Sequence, residues 1–197
     1  SGNAGHRRAT NLGDVFLLAG KLLHAEACYL GALHYKSDFP MALYGLGEVH
    51  ARRKDDALAL VAYNLAVDVW PSYVDAHMAL GDLHNRAGRP KKAEAAFTKA
   101  VEHGPEDVMA WEGLGKHQLE VSNKPARAEN TYKRAILKTK NGASSPGLIL
   151  GLAKSYAAQG RHAECVKEGE RASSLAPMFG MARHAVGQCK VALGDTA

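Results

Sequence analysis

Apolar residues recur along the chain at helical spacing and define short amphipathic helices that come in pairs. The clearest pair lies within residues 75–107, where the pattern predicts helices at about 75–87 and 91–103. Gly88 and Pro90 make the turn between them, because glycine tolerates a left-handed backbone and proline favours the first turn of the next helix. One such hairpin cannot bury both of its apolar faces, so the pattern predicts neighbouring copies.

The residue types of this hairpin return every 34 residues over most of the chain. With Val74 as position 1, the shared positions are a large apolar residue at 7, glycine at 8, alanine at 20 and 27, an aromatic residue at 24 and proline at 32. Copies before and after this unit keep most of these positions, and the fourth copy has one inserted residue, which we place in the turn at residues 121–125. Small residues at 8, 20 and 27 let helix backbones approach closely.

This pattern resembles the tetratricopeptide-repeat family, whose units follow W-x2-L-G-x2-Y…A-x3-F…A…P. Three departures stand out: His77 replaces the tryptophan, Cys165 replaces an alanine, and Gly169 replaces the aromatic residue, which predicts a looser second helix in the fifth unit. The resemblance implies an all-α fold, a right-handed superhelical solenoid of antiparallel helix pairs with about five units plus one extra helix. The units are residues 6–39, 40–73, 74–107, 108–142 and 146–179, with a half-unit at 180–197; residues 1–5 are interpreted as a flexible or vector-derived end.

Composition narrows the possible partners and location. The formal charge is +5, but lysine and arginine are interleaved with acidic residues instead of forming one basic stripe, so no nucleic-acid partner is expected. No apolar run approaches the ~20 residues that span a bilayer, so no membrane insertion is expected. Cys28, Cys165 and Cys189 form no pattern, and each is expected to pack as a small apolar residue, which favours a reducing cytoplasm.

The sequence offers little chemistry. His24 with Cys28, and His162 with Cys165, have ligand-like spacing, but each pair supplies only two ligands, so no metal site is expected. The glycines before Lys116 lack the spacing of a phosphate loop and lie within a predicted helix. We therefore expect no enzyme activity and no cofactor.

In the family that the chain resembles, first helices line a concave groove through positions 2, 5, 9, 12 and 13. Carried over by position, the expected groove residues for a partner are Asp14, Met41, Tyr44, Glu48, Arg52, Met78, Asp82, Asn85, Arg86, Met109, Glu112, Lys116, Leu119, Leu150 and Lys154, with Leu17 and Met181 also on the groove floor.

The charge at position 9 reverses along the chain: Asp14, Glu48 and Asp82 are followed by Lys116 and Lys154. Either this order is an accident of a solvated face, where each charge contributes little, or it selects a ligand that is basic at one end and acidic at the other. The methionines at groove positions have two interpretations. Their flexible thioether side chains suit contact with varied peptides, or methionine is simply tolerated on a helix surface near packed residues.

Two further stretches carry expectations. The polar connector at residues 139–145 is expected to be a flexible bulge or hinge. The last helix, at residues 180–193, has an apolar face (Ala182, Val186, Cys189, Leu193) that a following element is expected to cover.

Together these features predict a non-catalytic protein–protein interaction scaffold that binds a partner peptide or helix in the groove and belongs to a multiprotein complex. Two alternatives stay open: a recruiting or regulatory arm of a larger protein or enzyme, and a self-association module that pairs through its last helix.

Overall fold

The computed structural model describes residues 5–194, and every α-helix in this range belongs to the predicted antiparallel pairs or to the extra last helix. The chain is all-α, as expected, with no strand among the described residues. Helix α1 begins at Gly5, so the last residue of the expected flexible end is helical, and residues 1–4 of that end lie outside the described residues.

The described chain divides into two compact units. The first, up to Ala87, contains α1 (Gly5–Leu18), α2 (Leu22–Tyr35), α3 (Pro40–Arg52), α4 (Asp56–Val69) and α5 (Val74–Arg86). The second, from Gly88, contains α6 (Pro90–His103), α7 (Val108–Lys116), a π-helical turn (His117–Val121), α8 (Pro125–Lys138), a short 3-10 helix (Gly142–Ser144), α9 (Pro146–Ala157), α10 (His162–Leu175) and α11 (Gly180–Ala192).

Within each unit, a helix packs on its successor and on the first helix of the neighbouring repeat. In the first unit α1 contacts both α2 and α3, and in the second unit α9 contacts α7, α8, α10 and α11. The alanines expected at positions 20 and 27 are fully buried, which confirms their role in close helix packing: Ala25, Ala32, Ala59, Ala66, Ala93, Ala100, Ala128 and Ala135.

The aromatic residue at position 24 sits against glycines of two repeats. A Cβ atom at Gly13 would lie 2.6 Å from the Tyr29 ring, and one at Gly45 would lie 2.4 Å from it. Tyr132 is enclosed in the same way by Gly115 and Gly151. The small residues are therefore required because a buried ring fills the space that their side chains would occupy.

Turns between paired helices repeat one backbone geometry. Gly20, Gly88 and Gly160 have a positive φ, as expected for Gly88, and Lys54 and Asn123 adopt it at the equivalent places without being glycine. Each is followed by one residue and then by the next helix. Asn123 shows that the turn of the fourth repeat has the standard form.

The inserted residue of the fourth repeat therefore lies in its first helix, and its predicted place in the turn is wrong. The helix widens into a π-helical turn at His117–Val121, closed by a hydrogen bond from the Ser122 backbone amide to the His117 carbonyl. A π turn absorbs one extra residue without breaking the helix. It buries His117, with Nε2 3.0 Å from Ser122 Oγ, and Gln118, whose Oε1 accepts a hydrogen bond from Thr131 at 2.7 Å.

Position 4 also has a structural role that the sequence did not reveal. Nε1 of Trp111 donates to the carbonyl of Pro105 at 2.9 Å, and Nε2 of His77 lies 2.7 Å from the carbonyl of Pro71. His77 thus replaces tryptophan while keeping the same bond to the proline six residues earlier.

The connector at residues 139–145 is more ordered than expected for a flexible bulge. Thr139 and Gly142 are buried, and Thr139 Oγ1 donates to the Ala135 carbonyl at 3.0 Å. A short 3-10 helix follows, and Ser145 caps α9 through the Leu148 amide.

The end of the second unit differs from expectation in two respects. Cys165 and Cys189 form a disulfide across a Cα separation of 6.3 Å, so the expectation of three small unpaired cysteines is wrong, and with it the argument for a reducing compartment. Only Cys28 is free, and burial raises its thiol pKa. Ala182 and Cys189 are buried instead of presenting an uncovered apolar face, because α11 packs on α10 and α9.

Gly169 does not loosen α10. The helix runs unbroken over His162–Leu175, and a Cβ atom at Gly169 would lie 2.5 Å from Val186 of α11. Val186 therefore packs where the family usually has an aromatic ring.

No helix within residues 5–194 combines the length and apolar character that a membrane crossing requires. The expected cytoplasmic location stays a prediction.

Candidate functional site

In the first unit, two of the acidic groove residues are bound to buried tyrosines. Tyr29 donates its hydroxyl to Asp14 at 2.8 Å, and Tyr63 donates to Glu48 at 2.5 Å, each across 15 residues of one repeat. Burial, followed by the bond to the carboxylate, raises the pKa of Tyr29 and of Tyr63 above the usual tyrosine value. These two carboxylates therefore stabilise the repeat, whatever else they contact.

Two arginines expected in the groove also have partners within the first unit. Arg52 Nη1 donates to the carbonyl of Leu17, and Arg86 Nη2 forms an ion pair with Asp56 at 2.7 Å. Leu17 itself is buried, and its expected place on the groove floor stays a prediction.

Tyr44, another predicted groove residue of the first unit, belongs to an aromatic cluster. The Tyr44 ring lies 5.5 Å from Tyr63 and 5.3 Å from Tyr73, and Tyr73 stacks on Trp70 at 4.8 Å. Burial and the neighbouring Glu48 raise the pKa of Tyr44. Met41 on α3 and Asp82 on α5 are exposed, whereas Met78 and Asn85, also on α5, are half-buried.

Helix α1 buries small and polar residues while two of its large apolar residues face solvent. Leu12 and Val15 are 49% and 59% exposed. Thr10, Gly13 and Leu17 are buried instead.

In the second unit, five predicted groove residues line one depression of about 290 Å³ between α7 and α9, here called the α7–α9 depression. They are Glu112, Lys116, Leu119, Leu150 and Lys154, and Met181 also lines it. Met109, predicted for the same face, is exposed and does not contribute. The structure thus brings together side chains from the fourth, fifth and sixth repeats.

The two lysines of this depression are available for a ligand. Neither Lys116 nor Lys154 forms an ion pair with any residue in the range 5–194, although Glu112 and Glu120 line the same depression. Glu112 is half-buried, and this burial raises its carboxyl pKa despite a weak hydrogen bond from Ser145. The Glu112 carboxylate is therefore easier to neutralise than an exposed one.

A larger cavity of about 490 Å³ adjoins it between α9 and α11, here called the α9–α11 pocket. It shares Lys154 and Met181 with the depression and is otherwise lined by Ala157, His162, Gly180, His184, Ala185, Gln188 and Cys189. His184 and Gln188 were missed by the sequence prediction, although a step of 34 residues from Leu150 and Lys154 leads to them.

Charged groups join the fifth repeat, to which Lys154 belongs, to the fourth repeat. Burial alone would raise the pKa of Glu129, but hydrogen bonds from Lys133, Gln159 and Arg161 lower it to about 2. Arg161 Nη1, at the start of α10, lies 2.8 Å from Glu129 Oε2 of α8. This network joins α8 to the turn that follows α9.

The described part of the chain places no three histidine, cysteine, aspartate or glutamate side chains together for a metal ion. Cys165, half of one candidate ligand pair, is bonded to Cys189.

Comparison with known proteins gives the family of the repeats. Two profiles described as tetratricopeptide repeat match residues 10–74 and 74–117, together more than half of the 197 residues. The Protein CTR9 homolog of Arabidopsis thaliana is 28% identical over 136 residues, which is 67% of this chain and 12% of that protein.

Solved structures share the fold over nearly the whole chain. Pseudomonas aeruginosa PilF is similar with a TM-score of 0.82 and 17% identity, covering 98% of this chain and 86% of that one. YrrB, described as a TPR protein with an unusual peptide-binding site, is similar with a TM-score of 0.68 and 20% identity, covering 90% of this chain and 89% of that one.

Proposed function

This chain belongs to the tetratricopeptide-repeat family, and on that premise we propose that it is a non-catalytic interaction scaffold whose second unit binds an extended segment of a partner protein. The repeats and the structural relatives support a scaffold role in general. The finer proposal concerns where the segment binds and what charge it carries.

This proposal depends on two lysines that form no ion pair among the described residues. Lys116 and Lys154 come from successive repeats and line one depression with Leu119, Leu150 and Met181. Lys116 is exposed and Lys154 is half-buried. Two cations beside apolar side chains suit a segment with acidic and apolar residues, since the charges select and orient it while apolar contact supplies affinity. The description of YrrB as having a peptide-binding site supports the same kind of ligand for a similar fold.

The expectation of a ligand with one basic and one acidic end is refined by the first unit. Asp14 and Glu48 accept tyrosine hydroxyls, so their charge has a role in stability that needs no ligand. We propose that the lysine end of the groove governs ligand choice, and that a basic end of the ligand, if present, contributes less.

The test compares two charge-reversed double variants in a selection from a random peptide library, followed by fluorescence anisotropy of the selected peptides. Wild-type protein is expected to enrich acidic peptides, and K116E/K154E is expected to bind them at least about tenfold more weakly, as for loss of central contacts. The matched control is K99E/K167E, which makes the same charge change at exposed positions of α6 and α10 outside both cavities.

Equal weakening by both variants would mean that only net charge matters. Selection of peptides without acidic residues, or of none, would count against the proposal.

A second candidate function, the recruiting arm of a larger protein, is favoured by one observation. The chain spans 12% of the length of the curated relative that it matches. If it is such an arm, the parent protein and this chain bind the selected peptides with equal affinity in parallel titrations. If this chain binds the selected peptides and the parent protein does not, the result counts against this role.

A further inference from the structure

The α9–α11 pocket has a different character from the lysine-lined depression beside it. We infer that it takes one large apolar side chain of the bound segment, and that acidic residues flank this side chain in the ligand sequence. This inference rests on the proposed function and specifies the partner of the same site.

The walls of the pocket favour an apolar occupant. Ala157, Met181, Ala185 and Cys189 present carbon and sulfur atoms to a cavity of about 490 Å³. Pockets of ~300–1,000 Å³ with mainly apolar walls are the usual binding sites for compact apolar groups. An aromatic or long aliphatic side chain fits this volume and would displace water from the apolar walls.

The charges around the pocket decide what lies next to the apolar group. Lys154, His162 and His184 are in its lining, and that lining contains no aspartate or glutamate. A basic residue beside the apolar anchor would therefore meet Lys154 with like charge, whereas an acidic one would meet a complementary charge.

The position of Lys154 sets the spacing in the ligand. Lys154 and Met181 line both cavities, so the pocket and the depression are adjacent. In an extended peptide, side chains two residues apart point the same way and lie ~6.6–6.8 Å from each other. An apolar side chain in the pocket thus places the second residue on the side of the depression near the pocket rim and Lys154.

A disulfide attaches one wall of this pocket, helix α11, to its neighbour α10. Cys189 lines the pocket and is bonded to Cys165, which joins α11 to α10. A preformed wall lowers the ordering cost of binding.

The experiment uses a fluorescent peptide of about ten residues, ~33 Å when extended, acetylated and amidated so that it has no terminal charge. The parent peptide has one central phenylalanine among aspartate, glutamate, serine and glycine. One derivative replaces the phenylalanine by alanine, and another replaces the acidic residues by lysine. With wild-type protein, each derivative is expected to bind at least about tenfold more weakly than the parent peptide.

The protein variants are M181E and the control M178E. Met181 lines the pocket and is 58% exposed, whereas Met178 is 92% exposed just before α11 and lines neither cavity. M181E is expected to bind the parent peptide at least about tenfold more weakly than wild type, and M178E less than about twofold more weakly. If circular dichroism shows that M181E perturbs folding, Q188W replaces it, since Gln188 is exposed at the pocket edge.

Binding that does not depend on the phenylalanine, or that M181E and M178E affect equally, overturns the pocket inference. If K116E/K154E still weakens such binding, the proposed function survives alone. Failure of the parent peptide to bind also overturns the inference, as does a dimer in sedimentation velocity that M181E dissociates, because a second copy of the chain then occupies the pocket.

Discussion

In the first two repeats, the ninth residue is a carboxylate that accepts a hydrogen bond from a buried tyrosine, whereas in the fourth and fifth repeats it is a lysine without an ion-pair partner among the described residues. Both kinds of residue lie on first helices at the same place in the repeat. The comparison teaches that the charged residues at position 9 have two different roles. Asp14 and Glu48 are partly structural, and Lys116 and Lys154 are free to contact a ligand.

The two units also differ in how their last helix is held, and this difference has the largest expected effect. Replacing Cys165 and Cys189 together by alanine removes a cross-link over a sequence separation of 24, and a loop of this length is worth about 3 kcal/mol. The free energy of unfolding of the second unit should fall by that order, with no change in the first. Urea unfolding of two tryptophan variants measures this, because Trp111 reports the second unit alone in W70F protein and Trp70 reports the first unit alone in W111F protein.

The control is addition of a reductant to the same W70F protein, which should reproduce the effect of the alanine variant and add nothing to it. A reductant effect on the first unit would contradict this assignment.

Substitutions at position 9 separate the two roles most directly. Glu48→Lys removes the carboxylate that accepts a hydrogen bond from the hydroxyl of the buried Tyr63. A hydrogen bond to a charged group contributes about 2 kcal/mol. We expect urea unfolding of the first unit, followed by Trp70 fluorescence, to show a loss of this size. In the double variant with Tyr63→Phe, the loss should be smaller than the sum of the single effects, and additive effects would exclude the bond as the cause.

The π-helical turn makes a smaller, pH-dependent difference. Burial, with a lesser contribution from Lys124, lowers the pKa of His117, while Glu94 opposes this. The folded state thus holds the imidazole neutral, so its stability contribution is complete above the unfolded pKa of about 6.5 and is lost as pH falls through the lower folded pKa.

The matched variant is His117→Leu, since the equivalent residues Val49 and Leu83 are buried and apolar. Thermal melting between about pH 7.5 and 4.5, on either side of the reference histidine pKa, should show a shallower loss of stability for H117L than for wild type. Identical pH profiles would show that His117 is not responsible.

The smallest expected effect is on the stability of the lysine variants. K116E/K154E should change the free energy of unfolding by less than about 0.5 kcal/mol. Lys116 is exposed, Lys154 is half-buried, and substitutions of surface side chains away from specific contacts rarely contribute more. Chemical unfolding beside K99E/K167E checks this. A large loss for the groove variant alone would place these lysines among the structural residues, with Asp14 and Glu48.

Much of the fold was predictable from sequence because its determinants are local or strictly periodic. The alanines at positions 20 and 27 were identified from spacing alone, and all of those in the first four repeats are fully buried. The same spacing grouped Glu112, Lys116 and Lys154, which line one depression, while their contact with a partner stays a prediction. The pocket was missed because its far wall, at His184 and Gln188, belongs to the last incomplete repeat, which the groove prediction followed only as far as Met181.

The sequence by itself determined the repeat, the pairing of helices and the places of the turns, since helical periodicity, small residues and turn-forming residues act over a few positions. Only the tertiary structure decided where the extra residue of the fourth repeat lies, because a standard turn at Asn123 left the helix to absorb it as a π turn. It alone paired Cys165 with Cys189 and directed Tyr29 and Tyr63 to their carboxylates. Those contacts join residues 15 to 24 positions apart, and their formation depends on how whole helices pack.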